Sequence, residues 1–171
     1  MGNESKGTFL ERIIVRWTDL NESRVLLESY LLCSLLPVVF SVLPSWLDVG
    51  DGRIYRDGVV DYSMGIDAIL LAPILETIFV FVPILEICRF FKARPLWVAL
   101  CFALFFELLH SQRDFFGHLM LYPTMISMTL LYLAMRKKSF LHAVLFTAVV
   151  HEVYNVTVLM GNAYTYDRFF Y

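Results

Sequence analysis

The sequence predicts an all-α fold: a polytopic membrane helical bundle of about five transmembrane helices, with an interfacial amphipathic helix at the N-terminus. Three observations predict it. The 171 residues are 58% apolar and 16% aromatic but only 18% charged, with a mean hydropathy of +0.65. A soluble domain is roughly 45–50% apolar and about 25% charged, and a chain this short has too little interior to bury the excess. Five apolar runs approach or reach the length that crosses about 30 Å of hydrocarbon. Lys and Arg alternate between rich and poor connections along those runs. No internal repeat or linker divides the chain, so residues 1–171 form one membrane domain.

The first element, 8–18, places Phe9, Ile13 and Trp17, with Leu10 and Ile14, opposite Glu11, Arg12 and Arg16. That spacing describes an amphipathic helix lying on a membrane leaflet. The five spans follow at 25–43, 66–88, 95–111, 116–135 and 139–160. Between the first two, the 44–65 segment carries Asp48, Asp51, Asp57 and Asp61 with Asp-Gly turn signals, and reads as a solvated loop. After the last span, Tyr164, Tyr166, Phe169, Phe170 and Tyr171 form an aromatic cluster suited to a membrane boundary.

Orientation comes from the cations. Lys6, Arg12, Arg16, Arg24, Arg89, Lys92, Arg94, Arg136, Lys137 and Lys138 fall on one side; Arg53, Arg56, Arg113 and Arg168 fall on the other. The bias puts the N-terminus in the cytoplasm and the C-terminus outside. Asn3 and Asn21 open N-x-S sequons on the cytoplasmic side and read as chance. The N-terminal segment scatters charges through its apolar turns, unlike a signal peptide, and Lys6 breaks the myristoylation pattern. A net charge of −2 excludes a large basic nucleic-acid surface. Cys33, Cys88 and Cys101, an odd number without CxxC spacing, read as small buried thiols rather than a disulfide framework or zinc knuckle.

Against this background four polar residues stand out inside apolar runs: Glu76, His110, His151 and Asn155. Ionisable groups in hydrocarbon cost several kcal/mol, face a protein interior and mark function. At about 1.5 Å per residue, Glu76 lies roughly 15 Å below the outer start of its span and His151 roughly 13 Å from the outer end of its own. His110 reads shallower. His151 and Asn155, like Phe106 and His110, are one helical turn apart. Pro73 and Pro83 bracket Glu76, and Pro83 crowds the carbonyl of Phe79, so a kink is expected there. His142 falls on the opposite face from His151 and reads as interfacial.

A carboxylate and an imidazole sharing one water can activate it toward a carbonyl. A second imidazole with a carboxamide offers N–H donors to the developing oxyanion. The same residues, Glu76, His110 and His151, could hold a divalent metal such as zinc. The HEVYN segment lacks the second histidine of a zincin. Glu107 and His110 have the spacing of a di-iron ligand pair, without a second such pair. Glu86 with Arg89 reads as an i,i+3 ion pair.

These residues resemble the motifs of the CPBP intramembrane peptidases, the group of CAAX prenyl endopeptidases and bacteriocin-processing or bacteriocin-immunity proteins. Their pattern is EExxxR, FxxxH, then HxxxN or HxxxD. Here it reads Glu76-Thr77-Ile78-Phe79-Val80-Phe81, Phe106-Glu107-Leu108-Leu109-His110 and His151-Glu152-Val153-Tyr154-Asn155, within residues 66–160. The segments APILE and MRKKSFLHAVLFTAVVH are similar as well. Thr77 replaces the second glutamate and Phe81 the arginine. The resemblance implies Glu76 and His110 on the water, and His151 and Asn155 at the oxyanion. Thr77, Phe106, Glu107 and Glu152 stand beside them as supporting or substrate-groove positions. It further implies a glutamate-dependent reaction with no required cofactor or with a single divalent metal, in a prokaryotic cell membrane, acting on a peptide or protein. Two other classes compete. One is a non-catalytic member acting in bacteriocin immunity or partner binding. The other is a small transporter, which the missing inverted repeat disfavours.

Overall fold

A computed structural model of the chain describes residues 8–47, 71–109 and 115–170, with side chains described over 8–35, 71–109 and 121–157. Six helices make up the described chain, with no strand among them. They are α1 (Phe9–Asp19), α2 (Glu22–Leu47), α3, α4 (Pro95–Leu109), α5 (Phe115–Arg136) and α6 (Phe140–Phe170). Helix α3 runs through three consecutive segments, Ala72–Glu76, a π turn at Thr77–Phe81, and Val82–Phe90. The described parts of the five apolar runs fall on α2 to α6, one run to each helix. The aromatic tail continues α6 as helix to Phe170. His110 and loop 48–70 lie outside the described residues.

Helix α5 is the centre. From Leu130 to Met135 every side chain is buried, and α5 packs against α1, α2, α4 and α6. Its neighbours divide by face. On α6, Ala143, Thr147, Val150, His151 and Tyr154 are buried, while Leu141, Leu145, Val149 and Val153 are exposed. On α2, Val25, Ser29, Cys33 and Ser34 turn inward, while Leu27, Leu31, Leu32 and Leu35 face out. Helices α3 and α4 also carry large apolar side chains outward, among them Phe79 and Leu108. These helices are thus apolar on both faces, with leucine, valine and phenylalanine outside and hydroxyl and imidazole groups mixed among the apolar side chains inside. Cys101 lies on the exposed side of α4, unlike buried Cys33, so it departs from the expectation of buried thiols.

Prolines within these helices free backbone carbonyls that need new donors. Pro37 removes the helical donor for the Cys33 carbonyl, and Thr124 Oγ1 of α5 donates to that oxygen at 3.1 Å. Ser127 Oγ donates to the Ser29 carbonyl one turn earlier at 3.4 Å. Tyr30 and Thr157 hydroxyls meet at 2.8 Å and tie α2 to α6. Small residues and hydroxyls at such contacts let helices approach closely and replace lost backbone bonds.

One end of the bundle gathers the charges. Glu86 of α3 accepts from Arg136 Nε at 2.9 Å, from the Tyr132 hydroxyl at 2.9 Å and from Arg89 Nη1 at 2.7 Å. The i,i+3 pair expected from the sequence is therefore one arm of a network that clamps α3 to α5. Nearby, Glu28 of α2 binds Arg16 at 2.6 Å and Trp17 Nε1 at 3.1 Å, and His142 Nε2 lies 2.9 Å from Glu22. Helix α1 begins with a capping box between Thr8 and Glu11. Its Ile14 and Trp17 are buried against the bundle. The apolar stripe expected to face a leaflet is therefore largely docked on protein, leaving Phe9 and Val15 exposed.

Among the described residues, Phe140–Thr157 is long and apolar enough to cross a membrane, with 18 residues at a mean hydropathy of 1.2, and Pro95–Leu109 is a shorter apolar helix. The other three runs extend partly into residues whose side chains are not described.

Removing the charge of Glu86 should loosen the α3–α5 clamp. Glu86→Gln is expected to cost about 1.5–3 kcal/mol, the range for hydrogen bonds to charged groups, and so to lower the melting temperature by about 3–12 °C for a chain of this size. Glu22→Gln, at a pair that is half exposed, should cost under about 1 kcal/mol. Thermal unfolding followed by circular dichroism compares them; equal shifts would contradict the clamp.

Candidate functional site

The site begins with a departure from regular helix. Pro83 supplies no N–H and crowds the carbonyl of Phe79. The chain answers with a π turn at Thr77–Phe81, where the Val82 N–H bonds the Thr77 carbonyl five residues back. Such turns concentrate at functional positions. Here the turn follows Glu76 directly. In an α-helix, residues five apart lie about 140° apart around the axis. The wider π turn rotates less per residue and brings Phe81 round toward the face of Glu76.

Helix α6 supplies the partner. His151 is buried on the inward stripe, and its Nε2 lies 3.6 Å from Glu76 Oε2. The imidazole is 4% exposed and the carboxylate 32% exposed. The pair therefore has one end closed in protein and one end open. At 3.6 Å the Nε2–Oε2 approach is longer than a direct hydrogen bond, a spacing that suits a water or substrate oxygen touching both.

Phe81 is fully buried and forms the floor. Its ring centroid lies 4.6 Å from Phe102 in an edge-to-face contact, 5.3 Å from Phe106 and 6.1 Å from His151. The position where the resembling family carries arginine thus holds an aromatic wall beside the imidazole, which lowers the local dielectric and fixes the ring. Sequence reasoning marked Phe81 only as the residue in place of the motif's arginine and gave it no role of its own. The findable signal was Pro83, two residues on.

The remaining expected residues fall as follows. Asn155 stands one turn beyond His151, half-buried. Phe106 and Glu107 are buried on α4, and Glu152 is half-buried on α6. Thr77 is fully buried. Its hydroxyl and that of Thr147, one turn before His151, have no hydrogen-bond partner among the described residues, so the interior here has spare polar capacity. His110 lies outside the described residues, as does its expected place on the water. His142 sits apart, hydrogen-bonded to Ser139 at 2.6 Å and to Glu22.

No three of His, Cys, Asp and Glu gather as metal ligands among the described residues. Glu76 and His151 are the two expected ligands that can be placed, and they are adjacent. No family model matches the chain, and neither the curated proteins nor the solved structures contain a match to it.

Proposed function

We propose that the chain is a polytopic membrane protein that hydrolyses a peptide bond at an intramembrane site built on Glu76 and His151. The observation that carries the reading is their 3.6 Å approach inside a bundle whose outward faces are apolar. The apolar outward faces of α2 and α6 support the membrane setting. In water those outward leucines and valines would form a large exposed patch, whereas in hydrocarbon they cost nothing and the polar groups must turn inward.

The chemistry follows from the two groups. The Glu76 carboxylate takes a proton from a water held beside it, and the hydroxide adds to the peptide carbonyl carbon. The proton then passes to the leaving amine, which breaks the C–N bond. His151 lies within reach of the same water or of the oxyanion, and Asn155 on the next turn offers amide N–H donors to that oxygen. His110 is assigned to the water by its resemblance to the family motif. Phe81 and Phe102 exclude bulk water from one side.

A second reading has an observation of its own. Phe81 and Thr77 are both fully buried, leaving Glu76 to carry the first motif alone. This favours a non-catalytic bundle that binds a peptide or partner helix, as in bacteriocin immunity.

Two measurements bear on these readings. Glu76→Gln and His151→Ala are each expected to lower cleavage of a reporter peptide by about 10²–10⁴-fold, the usual contribution of a positioned acid–base group, with unchanged helicity. Full cleavage by either variant rules out the peptidase. If no cleavage is seen and both variants bind partner as well as wild type, the binding reading holds. Separately, the chain should stay with membranes after alkaline carbonate washing; release into the supernatant would refute the membrane setting.

A further inference from the structure

A cavity of about 380 Å³ opens at the charged end of the bundle between α1, the α3–α4 turn and the end of α5. Its volume lies within the roughly 300–1,000 Å³ of small-molecule sites. Four cations line it: Arg89, Lys92, Arg136 and Lys137. Ile14 and Leu133 supply apolar wall. Two carboxylates oppose the cations. Glu86 holds both arginines, and Glu11 is engaged by the Thr8 backbone in the capping box. Lys92 and Lys137 have no carboxylate partner among the described residues. Four positive groups against two negative ones leave a surplus of two.

Lys92 adds an independent observation. It closes α3 with φ 54°, the only non-glycine residue in the left-handed region among those described. The Lys92 N–H bonds the Arg89 carbonyl at 2.9 Å and the Ala93 N–H bonds the Cys88 carbonyl at 2.9 Å. That is the helix-ending motif in which glycine is favoured at this position, because a Cβ is strained there. A lysine held at a position suited to glycine, on the wall of a cationic cavity, points to use of its ammonium group. Phe90 and Phe91, next to Lys92 in sequence, and Trp97, two residues after the cavity-lining Pro95, are exposed, the aromatic company of a membrane–water boundary.

We propose that this cavity binds a phosphate group, and that the phosphate is the headgroup of an anionic membrane lipid. With both arginines held by Glu86, the ammonium groups of Lys92 and Lys137 are the ones placed to meet phosphate oxygens, and the apolar wall and the exposed aromatics nearby suit the adjoining acyl region. The lipid source rests on the membrane reading above; the cationic cavity does not.

The full chain, purified in mild detergent, is titrated with dioleoyl phosphatidylglycerol, dioleoyl phosphatidylcholine and inorganic phosphate, with bound species read by native mass spectrometry. Preferential retention of phosphatidylglycerol is expected. Lys92→Gly, which relieves the backbone strain, and Lys137→Gln should each weaken that retention about fivefold, in line with the contribution of one basic group near an anionic lipid. Since Lys92→Gly suits the local backbone, loss of binding in it is not loss of fold. Equal retention of both lipids, or unchanged binding by both variants, overturns the proposal. Binding of inorganic phosphate without lipid preference assigns the cavity to a free anion and overturns the lipid source. A chain that stays in washed membranes yet shows no preference fails here alone, whereas a chain released from them fails the membrane reading.

Discussion

The enclosure of α5 dictates the rest of the molecule. A helix buried through Leu130–Met135 leaves its neighbours only one inward face each, and polar groups in the interior are satisfied chiefly within the protein. Thr124 and Ser127 of α5 donate to α2 carbonyls. Glu86 collects Arg89, Tyr132 and Arg136 at one end. What remains for the outside is apolar. Close packing of the buried apolar core, hydroxyl-to-carbonyl bonds and one charged clamp hold the bundle together.

The same enclosure positions the candidate site. Helix α6 must place its inward stripe against the bundle interior, which carries His151 to a buried position. Helix α3 reaches it with an irregular turn forced by Pro83 next in sequence. That irregularity does two things at once: it ends the α-helical run at Glu76, and it swings Phe81 under the imidazole. A regular helix would supply the carboxylate but leave the imidazole without its aromatic wall. The separation of the charged clamp from Glu76 is ten residues along α3, roughly 15 Å of helix, so the clamp can hold α3 in place without touching the chemistry.

Much of the helix arrangement was legible because apolar runs and helical rise are local properties. The runs at 95–111 and 116–135 end within two residues of the helices Pro95–Leu109 and Phe115–Arg136. Counting helical rise from opposite ends of their runs put Glu76 and His151 at similar levels, and the two groups do lie 3.6 Å apart. Contacts set by rotation about a helix axis were not. Phe81 could be placed only by knowing that Pro83 induces a π turn rather than a simple kink. The partners of Glu86 at Tyr132 and Arg136 lie far along the chain, and no local pattern announces them. The docking of Ile14 and Trp17 onto the bundle was hidden for a related reason, since an amphipathic stripe fits a leaflet and a protein groove alike.

The central claim is that Glu76 and His151 act on one another across α3 and α6. A double-mutant cycle on unfolding free energy tests it without a substrate, using Glu76→Gln, His151→Gln and the double variant in purified protein. Residues in contact show interaction energies of about 0.5–3 kcal/mol, whereas independent sites add within about 0.3–0.5 kcal/mol. The account predicts a coupling of at least about 0.5 kcal/mol at neutral pH. Strict additivity of the two substitutions would contradict it.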